Sequence, residues 1–217
     1  WMYFDCLDAV PSPLPADRSL KNDRLDGQRY VIGDSLQSTL SQVKAFMIGA
    51  GALGCELLKG MALMGVGQTT QGGAITVTDM DHIEKSNLNR QFLFRDTDLG
   101  QPKSVTAAKA VQAMRPSTEI RAMNIPVGPD TEAVFDRSFW TNQDVAINAL
   151  DTWSARLYVD ERCVEFKKPL LESGTLGASG HTQVIVPHLT LNFGATKIQK
   201  DTTVPSCKIH HFPLSIQ

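Results

Sequence analysis

The chain has 217 residues, 42% hydrophobic and 20% charged, which is ordinary globular usage and excludes a disordered or fibrous protein. Lys and Arg number 21 against 23 Asp and Glu, a net charge of -2, so no overall basic field exists to hold nucleic acid or an anionic membrane, and any anion site must be local. The longest apolar runs fall far short of the roughly 20 residues that span a bilayer, and no signal-like stretch follows a basic N-terminus, so an intracellular location is expected.

Cys6, Cys55, Cys163 and Cys207 are widely spaced and form no Cys-x-x-Cys pair, which argues against a disulfide framework and a structural zinc site. Free thiols are expected. The chain starts at Trp1 and stops at Gln217 with no closing element, so a piece of a longer polypeptide is expected.

In chain order, Asp8 to Asp23 carries Pro11, Pro13 and Pro15 without periodicity and reads as a linker, residues 1–23 forming a lead-in segment. Leu25 to Leu40 predicts a helix or two. Ala45 to Ile48 is a short apolar strand; a Gly-rich turn follows, and Leu53, Leu57, Met61 and Met64 predict one helical face. Gly72-Gly73 ends a loop before the strand Ala74 to Thr78, which runs into Asp79-Met80-Asp81 and completes a βαβ unit. Pro102 opens a helix whose stripe is Val105, Ala108, Val111 and Met114, stopped by Pro116.

Further on, Glu119 to Ile125 predicts a strand, Thr131 to Phe139 a short helix, Val145 to Leu150 a buried strand ending at Asp151, and Ser154 to Phe166 another helix. Leu170-Leu171 and Gln183 to Val186 predict two more strands, and the polar stretch Leu189 to Val204 a long crossing or mobile loop. Alternating strands and helices specify an α/β fold, a doubly wound, mostly parallel sheet with helices on both faces, over residues 24–188. Ligands of such sheets bind beyond the carboxyl ends of the strands.

The turn Gly49-Ala50-Gly51-Ala52-Leu53-Gly54 fits G-x-G-x-x-G between strand and helix, where small residues let backbone amides approach a phosphate. The bland alternative is a tight turn with close helix packing. Asp79 sits at the distance at which an acid meets ribose hydroxyls in this fold, and would serve NAD or ATP alike. The run Asp81 to Phe94 adds amides and the Arg90 guanidinium just beyond a strand end, for which a dehydrogenase has no obvious need. Arg90, Lys103 and Asp151, a possible Mg²⁺ carboxylate, are expected at the edge that carries the Gly-rich turn, as in phosphoryl or adenylyl transfer. No G-x-x-x-x-G-K-[ST] is present.

The runs Gly49 to Lys59, Asp79 to Arg95, Asn148 to Asp151 and Lys168 to Gly177 resemble the active adenylation half of eukaryotic ubiquitin-activating enzymes, within the Rossmann-like ThiF/MoeB adenylation superfamily. The resemblance covers nearly the whole chain from Arg24 onward. It implies that ATP·Mg²⁺ and the C-terminal carboxylate of ubiquitin, or a close ubiquitin-like modifier, meet here to give an acyl-adenylate and pyrophosphate. It further implies Gly49, Gly51, Ala52 and Gly54 at the phosphate turn, and Asp79 on the ribose with Asp81 at the same nucleotide edge. Asn87, Arg90, Gln91 and Lys103 would surround the triphosphate, and Asp151 would hold Mg²⁺. Cys207, in Pro205-Ser206-Cys207-Lys208, is similar to the family's thioester cysteine, within a 189–217 segment that starts a catalytic-cysteine region.

Lys208 stands where the family carries Thr, Ser206 where it prefers an apolar residue, and Leu25 where its start carries an aromatic. The implied partners are ubiquitin-conjugating enzymes and the inactive adenylation half of the same polypeptide, with no nucleic acid or membrane; the implied location is cytoplasmic and nuclear. Two other readings stay open: a nicotinamide-dependent oxidoreductase, resting on the Gly-rich turn and Asp79, and a silent adenylation-like scaffold. His82, His181 and His188 carry no assigned role, and Trp140 and Trp153 are expected to pack in the core or its rim.

Overall fold

The structure, a computed structural model, describes residues 15–176 and 179–195. Its elements are α1 (Asp26–Gln42), β1 (Lys44–Ile48), α2 (Ala52–Met64), β2 (Ala74–Thr78), α3 (Lys103–Met114), β3 (Ile120–Met123), α4 (Arg137–Thr141), β4 (Val145–Asn148), α5 (Trp153–Phe166), β5 (Leu170–Leu176) and β6 (Ser179–Ile185). They form one sheet in the order β3-β2-β1-β4-β5-β6. The first five strands are parallel and β6 returns antiparallel to β5. The chain therefore moves outward from β1 through β2 to β3, then crosses to β4 and moves outward the other way. The ends of β1 and β4 flank the point where winding reverses, which is where such sheets hold ligands.

Side chains of a strand alternate between faces, and β1 shows the consequence. Ala45 and Met47 join a core with Cys55, Leu58, Met61, Ala107 and Val111 from α2 and α3. Phe46 and Ile48 face the other layer, with Trp140 of α4 and Val159 and Cys163 of α5. Phe46 meets Phe139 and Trp140 edge-on at centroid distances of 4.8 and 5.5 Å. A run apolar from Ala45 to Ile48 is what burial of both faces demands, and the doubly wound expectation is met.

Several boundaries differ from the sequence-based ones. The expected helix at Thr131–Phe139 is instead a 3₁₀ turn at Pro129–Thr131 followed by α4, because Asp136 accepts a hydrogen bond from the Phe139 amide at 2.8 Å and starts the helix there. The buried face of α2 is Gly54, Cys55, Leu58, Met61 and Ala62, while Met64 is exposed. Small residues face the sheet because the helix lies close to it, which a pattern of large apolar residues misses. For the same reason α3 buries Lys103, Ser104, Ala107, Ala108 and Val111 and leaves Met114 exposed. β3 and β4 are shorter than expected, and β5 and β6 are longer, forming a hairpin.

Both ends of the described chain are pinned. In the expected linker, Asp17 accepts from the Asp34 and Ser35 amides at 3.0 and 2.8 Å. Within the expected mobile loop, Phe193 is fully buried, and Asp160 accepts from the Phe193 and Gly194 amides, each at 3.0 Å. Residues 192–194 are thus docked on α5 through Asp160.

Candidate active site

β1 ends at Ile48 and the chain must turn at once into α2. Gly49 makes the turn with φ +100°, a conformation that side chains disfavour, and its amide donates to the Thr78 carbonyl at 2.8 Å. A Cβ on Gly54 would lie 2.3 Å from the Gly49 carbonyl oxygen, so the first turn of α2 can fold back on the loop only with glycine there. Gly51 caps α2 without a side-chain acceptor, and no acidic residue occupies the first turn. The amides of that turn are therefore left for an external acceptor.

The acid at the end of β2 completes the turn. Asp79 accepts from the Ala50 amide at 2.6 Å through one carboxylate oxygen and from the Asp81 amide at 2.8 Å through the other. Burial pushes its carboxyl above the usual range; the two amides and the charge of Lys103 act against that rise. Beneath the turn the Cys55 thiol donates to the Ala50 carbonyl at 3.8 Å, and burial raises it to about 11, so it is a packed thiol and not a nucleophile.

Lys103 opens α3. Its amide donates to the Asp81 carbonyl at 2.9 Å, and its ammonium reaches the Asp81 carboxylate at 2.8 Å. The lysine is buried while the Asp81 side chain is 57% exposed, so the cation is fixed and its partner faces water. Ser104 Oγ donates to the Asp79 carbonyl at 3.2 Å and ties α3 to the same strand end. Gly49, Gly51, Ala52, Gly54, Asp79, Asp81 and Lys103 thus lie together at one edge of the sheet.

Asn87 and Gln91 are buried in the loop that follows. Asn87 Oδ1 accepts from the Glu84 amide at 2.9 Å and so shapes the loop. Gln91 Nε2 is the nearest group to the space above Gly51, 4.0 Å from where a Cβ there would sit, and Gln91 Oε1 is buried without a partner among the described residues. An orphaned buried oxygen beside an open turn is what a polar ligand would satisfy. Arg90 is exposed and its Nη1 rests on the Ser86 carbonyl at 2.8 Å and on Asn89 Oδ1 at 3.1 Å. It stands on the same loop but outside the buried set.

Asp151 follows β4. The Ala149 amide donates to the Ile48 carbonyl at 2.8 Å, and a Cβ on Gly49 would lie 2.5 Å from the Ala149 carbonyl oxygen. The chain leading to Asp151 is therefore in contact with the Gly-rich turn. Asp151 is exposed. Among the described residues no group of three His, Cys, Asp or Glu could by itself hold a metal. A Mg²⁺ ion, which binds through one or two carboxylates plus phosphates and water, needs no such cage, so Asp151 fits it. Cys207 lies outside the described residues.

Three buried residues at this edge escaped the sequence-based assignment: Asn148, Arg156 and Glu172. Glu172 accepts from Asn148 Nδ2 at 2.7 Å and from Arg156 Nη1 at 2.6 Å. Burial raises the Glu172 carboxyl, with Asn148 and Arg156 acting against it. The available signal was an acid inside the apolar strand Pro169-Leu170-Leu171-Glu172, which demands a buried cation.

Residues 25–213 match the ThiF family. Over its whole length the chain is 53% identical to ubiquitin-activating enzyme E1 2 of Arabidopsis thaliana, covering 20% of that protein. It is 51% identical to ubiquitin-activating enzyme E1 2 of Triticum aestivum and 48% identical to ubiquitin-like modifier-activating enzyme 1 of Homo sapiens, covering 21% of each. The chain thus spans about a fifth of the length of these relatives. Escherichia coli MccB, solved with MccA-N7isoASN, superposes with a TM-score of 0.74 at 19% identity, over 85% of this chain and 53% of MccB. MccB solved with ATP gives 0.69 at 21% identity, over 83% and 53%. The family match spans the Gly-rich turn, the acids after β2 and the start of α3, and the fold agrees with it: the chain belongs to the ThiF family.

Proposed function

We propose that this chain is the adenylating part of a ubiquitin-activating enzyme, joining the C-terminal carboxylate of ubiquitin to the AMP moiety of ATP with release of pyrophosphate. One observation carries the reading. The Ala50 amide, the Asp79 carboxylate and the Lys103 ammonium are built into a single edge of the sheet, the arrangement that a phosphate turn, a ribose acceptor and a fixed cation would need.

The chemistry follows from charge. A carboxylate oxygen must approach an anionic α-phosphorus, forming one P–O bond while the bond to pyrophosphate breaks and the pyrophosphate leaves with the electron pair. Lys103 and Arg90 offset the repulsion and stabilise the departing group, as fixed cations do at phosphoryl centres. Lysine has three donors, so Lys103 keeps Asp81 while it serves a phosphate. The amides of the Gly49–Gly54 turn receive phosphate oxygens, and Asn87 and Gln91 line the loop beside them. Asp151 would hold Mg²⁺, which when bound would neutralise phosphate charge. Cys207 then attacks the acyl carbon as a thiolate, forming a thioester and releasing AMP.

The whole polypeptide would pass the thioester to conjugating enzymes and pair this part with an inactive adenylation half, in cytoplasm and nucleus; tagging the intact polypeptide in cells tests the location. The deciding experiment measures ubiquitin-dependent exchange of pyrophosphate into ATP by the intact polypeptide. Exchange is expected, lost in Asp151→Ala and retained in Cys207→Ala, which loses only the thioester. Thermal stabilisation of the chain by NAD and not by Mg²⁺·ATP would overturn the reading in favour of an oxidoreductase.

A further inference from the structure

The turn that carries Asp151 is clamped by side chains that the adenylation chemistry does not use. On one side of it, Ser173 Oγ donates to the Asn148 carbonyl at 2.8 Å. On the other, Arg156 folds back from the first turns of α5 and donates through Nη2 to the Leu150 carbonyl, the residue just before Asp151. The same guanidinium is anchored by Nη1 on Glu172 at 2.6 Å, and Glu172 is itself held by Asn148 Nδ2 at 2.7 Å. Arg156 and Glu172 are buried, with side-chain exposures of 9% and 0%. The seat is tight, since a Cβ on Gly174 would lie 2.4 Å from Arg156 Nη1.

Asp151 itself is exposed, and among the described residues no donor is paired with its carboxylate. The backbone beneath it sets where that carboxylate can reach, and that backbone is fixed at residues 148 and 150 by Ser173 and Arg156. A buried ion pair is costly to desolvate and contributes little net stability compared with apolar packing, so its presence calls for a reason other than stability. We propose that Arg156, anchored by Glu172, is the positioning residue that aims Asp151 at the nucleotide edge. The inference rests on the adenylation reading, in which Asp151 serves Mg²⁺·ATP. Outer partners of this kind orient the groups that touch the ion.

The test uses the intact polypeptide and calorimetric titration with ATP, with and without Mg²⁺, beside the Mg²⁺ dependence of pyrophosphate exchange. Arg156→Lys keeps a cation for Glu172 but cannot span Glu172 and the Leu150 carbonyl together. Its Mg²⁺-dependent gain in ATP affinity is expected to fall on the order of tenfold, with Mg²⁺-free ATP binding unchanged. Glu172→Gln keeps an acceptor for Asn148 and loosens Arg156, and the same direction of change is expected; it decides the matter should Arg156→Lys fail to fold. If folded variants keep the parental Mg²⁺ gain while Asp151→Ala loses it, the positioning role is wrong and the adenylation reading stands. Retention of the full gain by Asp151→Ala removes the metal role of Asp151 and the inference with it.

Discussion

Asp79 closes the Gly-rich turn by accepting the Ala50 amide at 2.6 Å, so the residue expected to hold ribose also holds the phosphate loop in place. A carboxylate offers about four acceptor sites. The Ala50 and Asp81 amides take one on each oxygen, which leaves room for two ribose hydroxyls. Parent protein is therefore expected to bind ATP more tightly than 2′,3′-dideoxy-ATP, and Asp79→Ala to lose that preference, a difference of about 1.5–3 kcal/mol for hydrogen bonds to a charged group. Calorimetric titration of both ligands against both proteins measures it. An Asp79→Ala protein that still discriminates would show that the ribose is read elsewhere.

Two glycines of α2 should respond in opposite ways to alanine. A Cβ on Gly54 meets the Gly49 carbonyl at 2.3 Å, and backbone cannot yield cheaply, so Gly54→Ala should cost about 1–3 kcal/mol and disturb nucleotide binding. Gly60 lies within the same helix with nothing within 4 Å of an added Cβ. Gly60→Ala should stabilise by about 0.5–1 kcal/mol through the unfolded chain. Urea denaturation of the two variants gives both signs, and a neutral Gly54→Ala would mean that the turn is looser than its geometry.

The contrast between these positions also shows what a sequence can reveal. Gly49 to Gly54 and Asp79 were legible because a βα turn and a strand end are local features with local chemistry. Lys103 became legible through its place at the start of a helix after Pro102. The Arg156–Glu172 pair was not, since it joins α5 to β5 beside a hairpin the sequence hides: the expected strands stop at Leu171 and resume at Gln183, yet β5 continues to Leu176 and pairs with β6 from Ser179. The buried face of α2 was misplaced for a related reason. Close helix-to-sheet approach selects Gly54, Cys55 and Ala62, and periodicity of large side chains cannot see that choice.

Lys103 allows charge and fold to be separated. Its ammonium pairs with Asp81, whose side chain is 57% exposed and regains water if the cation is lost. Lys103→Met keeps the aliphatic stem in its buried place, so melting temperature should move little. Pyrophosphate exchange by the intact polypeptide should fall by roughly 100-fold or more, the scale for removing one group that stabilises transition-state charge. Parental exchange rates in a folded Lys103→Met protein would reassign the cation to the ion pair alone.

The two buried thiols among the described residues should weaken the fold in alkali. Burial raises Cys163 to about 12 and Cys55 to about 11, against an ordinary value of 9.0. The folded chain keeps these protons in a range where the unfolded chain releases them. Their contribution to stability is therefore complete below pH 9.0 and is lost as pH rises through about 11 and then about 12. Each thiol that ionises only on unfolding steepens the decline by about 1.4 kcal/mol per pH unit. Cys163→Ala should begin from lower stability at pH 8, because a buried side chain is trimmed, and should then decline less steeply above pH 9. Urea midpoints between pH 8 and 11 measure the slopes, and parallel curves for parent and variant would place the alkaline transition in other groups. The same burial predicts that neither thiol reacts with Ellman's reagent at pH 8 until the chain unfolds.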